Sequence, residues 1–328
     1  MKTRARGCAA GVFAGAMLAY LVVSMLEAPT ATASSSCIGV HVSSANELRQ
    51  GIAAHPAGTK FCLHKGTYQV SSTITLKSHD RLIGTARTRD GVIVKTTSAE
   101  VIFDLHNTTR VRFRHFAITG AVNKCPTRNC SHPTGRAISG GSHVLVKDMH
   151  LYRNHSKAIG GALGGLRIIN SEIDHNGATA GDSLTGGIKV THSATIKGSF
   201  FHDNKNNGIW CDVHCGSFTV IGNVVKRNGG NGIFDEISQG PATIAHNIVK
   251  HNNTAHIPSH GGIGITDSKN ANVYSNTVRR NHGFGISARM DHRSIGWPTT
   301  GVRIHNNKLD QNPIKGCDVA GVVCFQNH

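Results

Sequence analysis

The sequence has little charge and few aromatic side chains: Asp, Glu, Lys and Arg together make 16% of it and Phe, Trp and Tyr 5%, with two Trp in 328 residues. So few charges exclude a highly charged disordered chain, and the shortage of leucine-rich helical periodicity excludes a helix bundle. Nucleic-acid binding has no support beyond charge, because no set of interleaved aromatics is present on which bases could stack. Acidic residues are scarce as well, 18 against 35 Lys and Arg, for a formal charge of +17 with 22 His in addition. A field of that sign favours an acidic partner.

Long apolar runs are missing except at the start. Lys2, Arg4 and Arg6 precede the apolar run Cys8 to Leu26, and Ala31-Thr32-Ala33 has the small residues of a cleavage site. We expect residues 1–33 to be a secretory signal, with an uncleaved membrane anchor as the other reading, so that the rest of the chain is secreted or held at the cell surface. The remaining eight cysteines form an even set, as in an exported disulfide protein. They fall into four neighbouring couples, and the expected links are Cys37–Cys62, Cys125–Cys130, Cys211–Cys215 and Cys317–Cys324. No paired CxxC knuckles suggest structural zinc.

Glycine is abundant, and with it comes a repeat. IINSEIDHN (168–176), TIKGSFFHDN (195–204), TVIGNVVKRN (219–228), TIAHNIVKHN (243–252), NVYSNTVRRN (272–281) and RIHNNKLDQN (303–312) align without gaps, and their last Asn recur at steps of 28, 24, 24, 29 and 31 residues. Two columns stay apolar: Ile168, Ile196, Val220, Ile244, Val273 and Ile304, then Ile173, Phe201, Val225, Val249, Val278 and Leu309. Most segments lead into a Gly-Ile strand at 187–188, 208–209, 232–233, 262–263 and 285–286. Strands this short bury nothing alone, whereas coils stacked about 4.8 Å apart share one core. Corner Asn can then bond in ladders and take left-handed backbone.

This pattern resembles the right-handed parallel β-helix proteins of the pectin-lyase-like superfamily, over about residues 37–328 and most clearly from 135 onward. The expected architecture is an all-β, single-stranded right-handed parallel β-helix (a solenoid) as one domain, 34–328, with an N-terminal capping helix. Ser44-Ala45-Asn46-Glu47 has the form of a capping box, and Leu48 and Ile52 share a helical face. About residues 37–62 form the cap and 313–328 a tail tied by Cys317 and Cys324. The resemblance is specific for fold and fixes no reaction; the chain is expected to be a monomer with a polysaccharide as its partner.

Strand alternation locates candidate chemistry. With each Gly-Ile isoleucine inward, Trp210 and Asp212 point outward on one coil and Phe234 and Glu236 on the next. Lys189 and Thr191 occupy the same columns one coil before, and Ser287 and Arg289 two coils after. Asp212 and Glu236 therefore stack as neighbours, where repulsion should raise one pKa unless a cation, Lys189, Arg289 or Ca²⁺, intervenes. An outward Trp210 would offer a face to a sugar ring. Longer segments at 177–186, 253–261 and 290–300 would wall this groove with His256, His260, Asp291, His292 and Trp297. Asp235 counts as inward, which suggests that the strand has already turned there, and Asp267 as a third acid one position out of register. His175, His192, His202, His246 and His251 read as solvated surface.

The fragment Asp212-Val213-His214 is similar to the Asp-x-His motif of mannuronan C5-epimerases, with Glu236 as the second acid, although no Tyr precedes Asp212 and Cys211 and Val213 replace the motif's neighbours. Trp210-Cys211-Asp212 followed by Gly232 to Ser238 also resembles a group of secreted bacterial β-helix proteins, which implies a carbohydrate-related role. The expected function is a lyase or epimerase on an acidic, uronate-containing polysaccharide, with Asp212, Glu236 and His214 catalytic and Trp210, Lys189 and Arg289 binding substrate. A retaining glycoside hydrolase using Asp212 and Glu236, and a non-catalytic cell-wall or glycan-binding module, are the alternatives.

Overall fold

A computed structural model describes residues 37–124, 134–161, 164–177 and 184–328. The proposed signal (1–33) and the Cys125–Cys130 link lie outside the described residues. The chain winds as a right-handed parallel β-helix whose described strands form three sheets of twelve, ten and ten strands. Neighbouring strands pair in parallel, each coil handing one strand to each sheet in turn. The first sheet runs from Val40–Val42 to Val322–Phe325, the second from Ile74–Thr75 to Ile314–Lys315 and the third from Gly66–Val70 to Lys308–Asp310.

The two apolar columns of the repeat line the interior. Ile168, Ile196, Val220, Ile244, Val273 and Ile304 are fully buried in the first sheet, as are Ile173, Phe201, Val225, Val249 and Val278 in the third. Leu309, in the last coil, is partly buried. The Gly-Ile isoleucines close the triangle from the second sheet. Their glycines are required by close approach. A Cβ at Gly187, Gly208, Gly232 or Gly262 would stand 2.2–2.9 Å from the carbonyl oxygen of the next coil's glycine.

Two asparagine ladders stitch the corners. Asn154, Asn176, Asn204, Asn228, Asn252, Asn281 and Asn312 bond Nδ2 to Oδ1 in succession at 2.9–3.2 Å. The second runs Asn223, Asn247, Asn276, Asn307, Asn327 at 2.9–3.0 Å. The left-handed backbone sits one residue earlier than the sequence suggests, at His175, Asp203, Arg227, His251, Arg280 and Gln311. The ladder Asn instead donates its own N–H to the Oδ1 of the Asn on the next coil.

Helix α1 (Ala45–Ala54) seals the first coil with Leu48 and Ile52. Ser44 accepts from the Glu47 N–H at 3.1 Å, while the Glu47 carboxylate reaches Ser43 N–H rather than Ser44's, at 2.8 Å, so the box is displaced by one residue. Disulfides Cys37–Cys62, Cys211–Cys215 and Cys317–Cys324 are formed, chemistry that belongs to an exported chain. No helix among the described residues is long and apolar enough to cross a membrane.

Candidate functional site on the second sheet

Five successive strands of the second sheet build the wall singled out by the sequence: β1 (Gly186–Val190), β2 (Asn207–Asp212), β3 (Ile233–Glu236), β4 (Gly261–Thr266) and β5 (Phe284–Arg289). Their register stacks Lys189, Trp210, Phe234, Gly264 and Ser287 in one outward column, and Asp212, Glu236, Thr266 and Arg289 in the next. The two acids are therefore rung neighbours on one wall.

Each acid has its own cation. Lys189 Nζ lies 2.5 Å from Asp212 and 3.9 Å from the centroid of Trp210, so it pairs and stacks at once. Arg293 donates Nη1 to Glu236 at 2.6 Å and Nε to Asp267 at 2.9 Å. Trp210 Nε1 donates to the other Glu236 oxygen at 2.8 Å. Burial first, then the Asp212 charge, pushes the Glu236 carboxyl up, against the pull of Arg293 and the indole N–H. Asp267, just past β4 in left-handed backbone, lies below the ordinary carboxylate range. There the Arg293 guanidinium and the N–H of Asp291 outweigh its burial.

Trp210 does not present an open face. It is 6% exposed, sandwiched between the Lys189 ammonium and Phe234, whose ring is near-parallel at 6.2 Å. The sequence shows that the indole leaves the core but not that neighbouring coils cover it. Gly264 makes this packing possible, since a Cβ there would stand 3.0 Å from the Phe234 ring. Arg289 keeps its column but turns to Asp291 (3.1 Å) and the Ser259 carbonyl (2.9 Å), not to the acid pair. His214 lies exposed beyond β2, in the left-handed corner formed with Val213, and its ring joins none of these bonds. For Ca²⁺ the wall is a poor fit: its two carboxylates are already held by an ammonium, a guanidinium and an indole N–H.

The segment 290–300 does fold over the wall. It contributes Arg293, the residue that ties Glu236 to Asp267 and that sequence reasoning missed; an Arg in a Gly- and Pro-containing insertion carries no periodic signal. Buried polar atoms near this insertion without a hydrogen-bond partner include Arg293 Nη2, Trp297 Nε1 and His260 Nδ1. His260 packs 5.9 Å from Phe234, and burial beside Arg289 lowers its pKa to about 4. His256 instead meets His282, with ring centroids 4.3 Å apart.

Asp235 is the sharper surprise. β3 does not turn before it: the side chain enters the interior, fully buried, on the rung between Cys211 and Ile265. Neither carboxyl oxygen has a hydrogen-bond partner of good geometry, and burial lifts the pKa to about 7, with Glu236 adding to the shift and the Ser238 hydroxyl opposing it.

His175 is exposed, as expected, but His202 is not solvated surface. With His150, Glu172 and Asp174 they form a polar cluster on the third sheet, and His202 is nearly buried. Among the described residues, the groups of three side chains able to share a metal ion fall in this cluster, away from Asp212 and Glu236.

A three-sheeted, right-handed parallel solenoid with this interior has the right-handed parallel β-helix fold, the fold of several solved carbohydrate-active proteins. Solved structures with the same fold include a pectate lyase (TM-score 0.56, 15% identity, 90% of this chain and 80% of that one). A polygalacturonase of Erwinia carotovora ssp. carotovora gives TM-score 0.56 at 9% identity, covering 90% and 99%. The A-module of a mannuronan C-5 epimerase from Azotobacter vinelandii gives 0.51 at 12%, covering 88% and 95%. Residues 135–328 match the NosD family, described as periplasmic copper-binding protein, and the chain belongs to that family. No protein of curated function matches the sequence.

Proposed function

We propose that the second-sheet wall is the active site of an exported polysaccharide lyase acting on a uronate-containing polymer. The observation that carries this reading is the pair of in-register acids in unlike surroundings: Asp212 ion-paired with Lys189, Glu236 pushed towards its protonated form. Neighbouring carboxyls set apart in this way divide into a base and an acid. Asp212 takes the proton from C5 of the uronate, the C4–O4 bond breaks, a C4=C5 double bond forms, and Glu236 gives its proton to the departing O4. Both groups stand on one wall and so meet the sugar from one side. That suits elimination better than epimerisation, which returns the proton from the opposite face.

Lys189 and Arg293 supply the positive charge for which the sequence offered Lys189, Arg289 or Ca²⁺, and they remove the repulsion two bare carboxylates would exert on an anionic sugar. The unpartnered Arg293 Nη2 is a donor suited to the uronate carboxylate. Substrate binding draws Arg293 from Glu236, which leaves that carboxyl free to take up from solvent the proton it later gives to O4. Trp210 supports Glu236 from the neighbouring column through its Nε1 hydrogen bond, and His214 has no part in the reaction. The NosD family's copper-binding description has no counterpart here, since the wall's hydrogen-bonded network offers carboxylates without imidazole or thiolate. The chain acts as an exported monomer, with residues 1–33 as its signal and its partner outside the cell or in the periplasm.

The test is ultraviolet absorbance of the new C=C bond on a panel of acidic glycans, with Asp212→Asn and Glu236→Gln as variants. Absorbance that falls at least a hundredfold in both, with folding intact, supports the lyase. New reducing ends without unsaturation would convert the assignment to a retaining hydrolase, and binding without turnover to a glycan-binding module.

A further inference from the structure

The outward face of the first sheet carries a strip of bases that the wall on the second sheet does not use. Successive strands set Lys60, Arg81 and Arg112 directly opposite one another, and Arg167 joins the same column two coils later, past Leu145. The parallel column holds Arg114 opposite Lys147, then Lys197 beyond Ile169. Arg81, Arg112, Arg114, Arg167 and Lys197 are exposed, and Lys60 and Lys147 are half-buried. Along the described strands of this sheet no acid occupies either column. The outward columns of the other two sheets, by contrast, hold Asp212, Glu236, Glu172 and Asp174.

Like charges directly opposite on neighbouring strands destabilise a sheet. Elsewhere this chain answers its bases internally: Lys189 meets Asp212, Arg227 meets Asp203, and Arg293 meets Glu236 and Asp267. Among the described residues none of the seven bases of the strip forms an ion pair; the remaining Lys and Arg pairs also lie elsewhere, at Arg89, Lys124, Arg280 and Arg289. The acids at the strip's edges are already engaged. Asp148, next to Lys147, is held by His115 at 2.5 Å. Asp80, next to Arg81, is buried and accepts from the N–H groups of Gly58 and Lys77 at 3.0 and 2.8 Å. The counter-charge that would relieve this stack therefore has to come from outside the chain.

We infer that this strip binds a linear anionic polysaccharide laid along the solenoid axis, gripping its carboxylate or sulfate groups. From Lys60 to Lys197 it crosses five rung steps of about 4.8 Å, roughly 24 Å in all, yet it is only two columns wide. A long, narrow row suits an extended polymer better than a bilayer surface, and one rung is close to the length of one sugar residue. Four of the seven bases are Arg, whose fork can hold a carboxylate by two bonds. No aromatic side chain stands in either column between residues 60 and 197, so a single-stranded nucleic acid would find nothing to stack on. The site does not rest on the lyase reading: it occupies a different sheet from Asp212 and Glu236 and holds polymer whether or not the wall cleaves it.

Binding of the full chain to immobilised polygalacturonate and to dextran sulfate, with neutral dextran as control, is measured by biolayer interferometry at about 0.1 M NaCl. The native chain should bind at least one of the two polyanions and not dextran. Arg81→Gln/Arg112→Gln/Arg114→Gln/Arg167→Gln should bind that polymer at least about tenfold more weakly, because four modest exposed pairs are lost together. It should melt no lower than the native chain, since the variant relieves repulsion rather than removing a contact. Arg153→Gln/Lys205→Gln/Lys308→Gln/Lys315→Gln takes the same charge from scattered exposed positions and should change affinity by less than about threefold. Equal weakening in the two variants would overturn the strip as a site and leave only the field of the net charge. No binding of either polyanion by the native chain would overturn it too, as would tighter binding to vesicles of phosphatidylcholine and phosphatidylglycerol in equal parts. Unsaturated product from a short uronate oligosaccharide is scored separately, so the strip and the wall can fail independently.

Discussion

At the scale of single residues, Asp235 has the clearest consequence for stability. Its neighbours across the rung, Cys211 and Ile265, cannot solvate a charge, so its folded pKa of about 7 lies well above the ordinary 3.8. Linkage sets the sign: the folded state binds this proton more tightly than the unfolded state. The stability it contributes is complete below about pH 4, is lost as pH rises towards 7, and changes little above that. Every tenfold gain in proton affinity on folding corresponds to about 1.4 kcal/mol, so a few kcal/mol are at stake. Asp235→Asn should melt several degrees above the native chain at pH 8 and together with it at pH 4; thermal denaturation followed by circular dichroism checks this. A pH-independent difference between the two would place the effect outside this carboxyl.

At the scale of elements, the asparagine ladders do what side-chain packing cannot do at a corner. Asn228 shows the arrangement: its Nδ2 serves Asn252 Oδ1 and the carbonyls of Phe201 and Lys226, while its Oδ1 accepts from the N–H and Nδ2 of Asn204. Removing the amide leaves buried main-chain groups without partners, which is costlier than the loss of one bond between exposed groups. Asn228→Ala should cost on the order of 3 kcal/mol in urea denaturation. Exposed Asn306→Ala, one residue outside the second ladder, should cost far less. Equal losses would mean that the ladder merely fills space.

At the scale of the whole molecule, the excess of 35 bases over 18 acids acts as a field rather than through any one pair. Several acids that do occur are drawn into ion pairs, leaving much of the basic surface uncompensated. Binding to an acidic glycan should therefore weaken steeply with salt, since charges beyond about 10 Å are screened at 0.1 M and about 3 Å at 1 M. Affinity electrophoresis at low and high NaCl, with a neutral glucan as control, measures this. Retention that ignores salt would assign recognition to the wall alone.

The sequence by itself determined the winding, because the winding is periodic. Ile196, Val220 and Ile244 repeat at the coil length, Gly208 and Gly232 recur where no Cβ fits, and a 24-residue step places Asp212 beside Glu236. Tertiary structure alone decided what covers that pair. Trp210 is hidden by Phe234 and Lys189 from the adjoining coils, and Arg293 arrives from a segment 57 residues beyond Glu236. The inward carboxyl of Asp235 and the meeting of His150 with Asp90 and Asp174 were decided in the same way. A repeat fixes which residues share a column, since backbone spacing sets that; which side chains lean across columns depends on packing and charge in three dimensions, and no period encodes it.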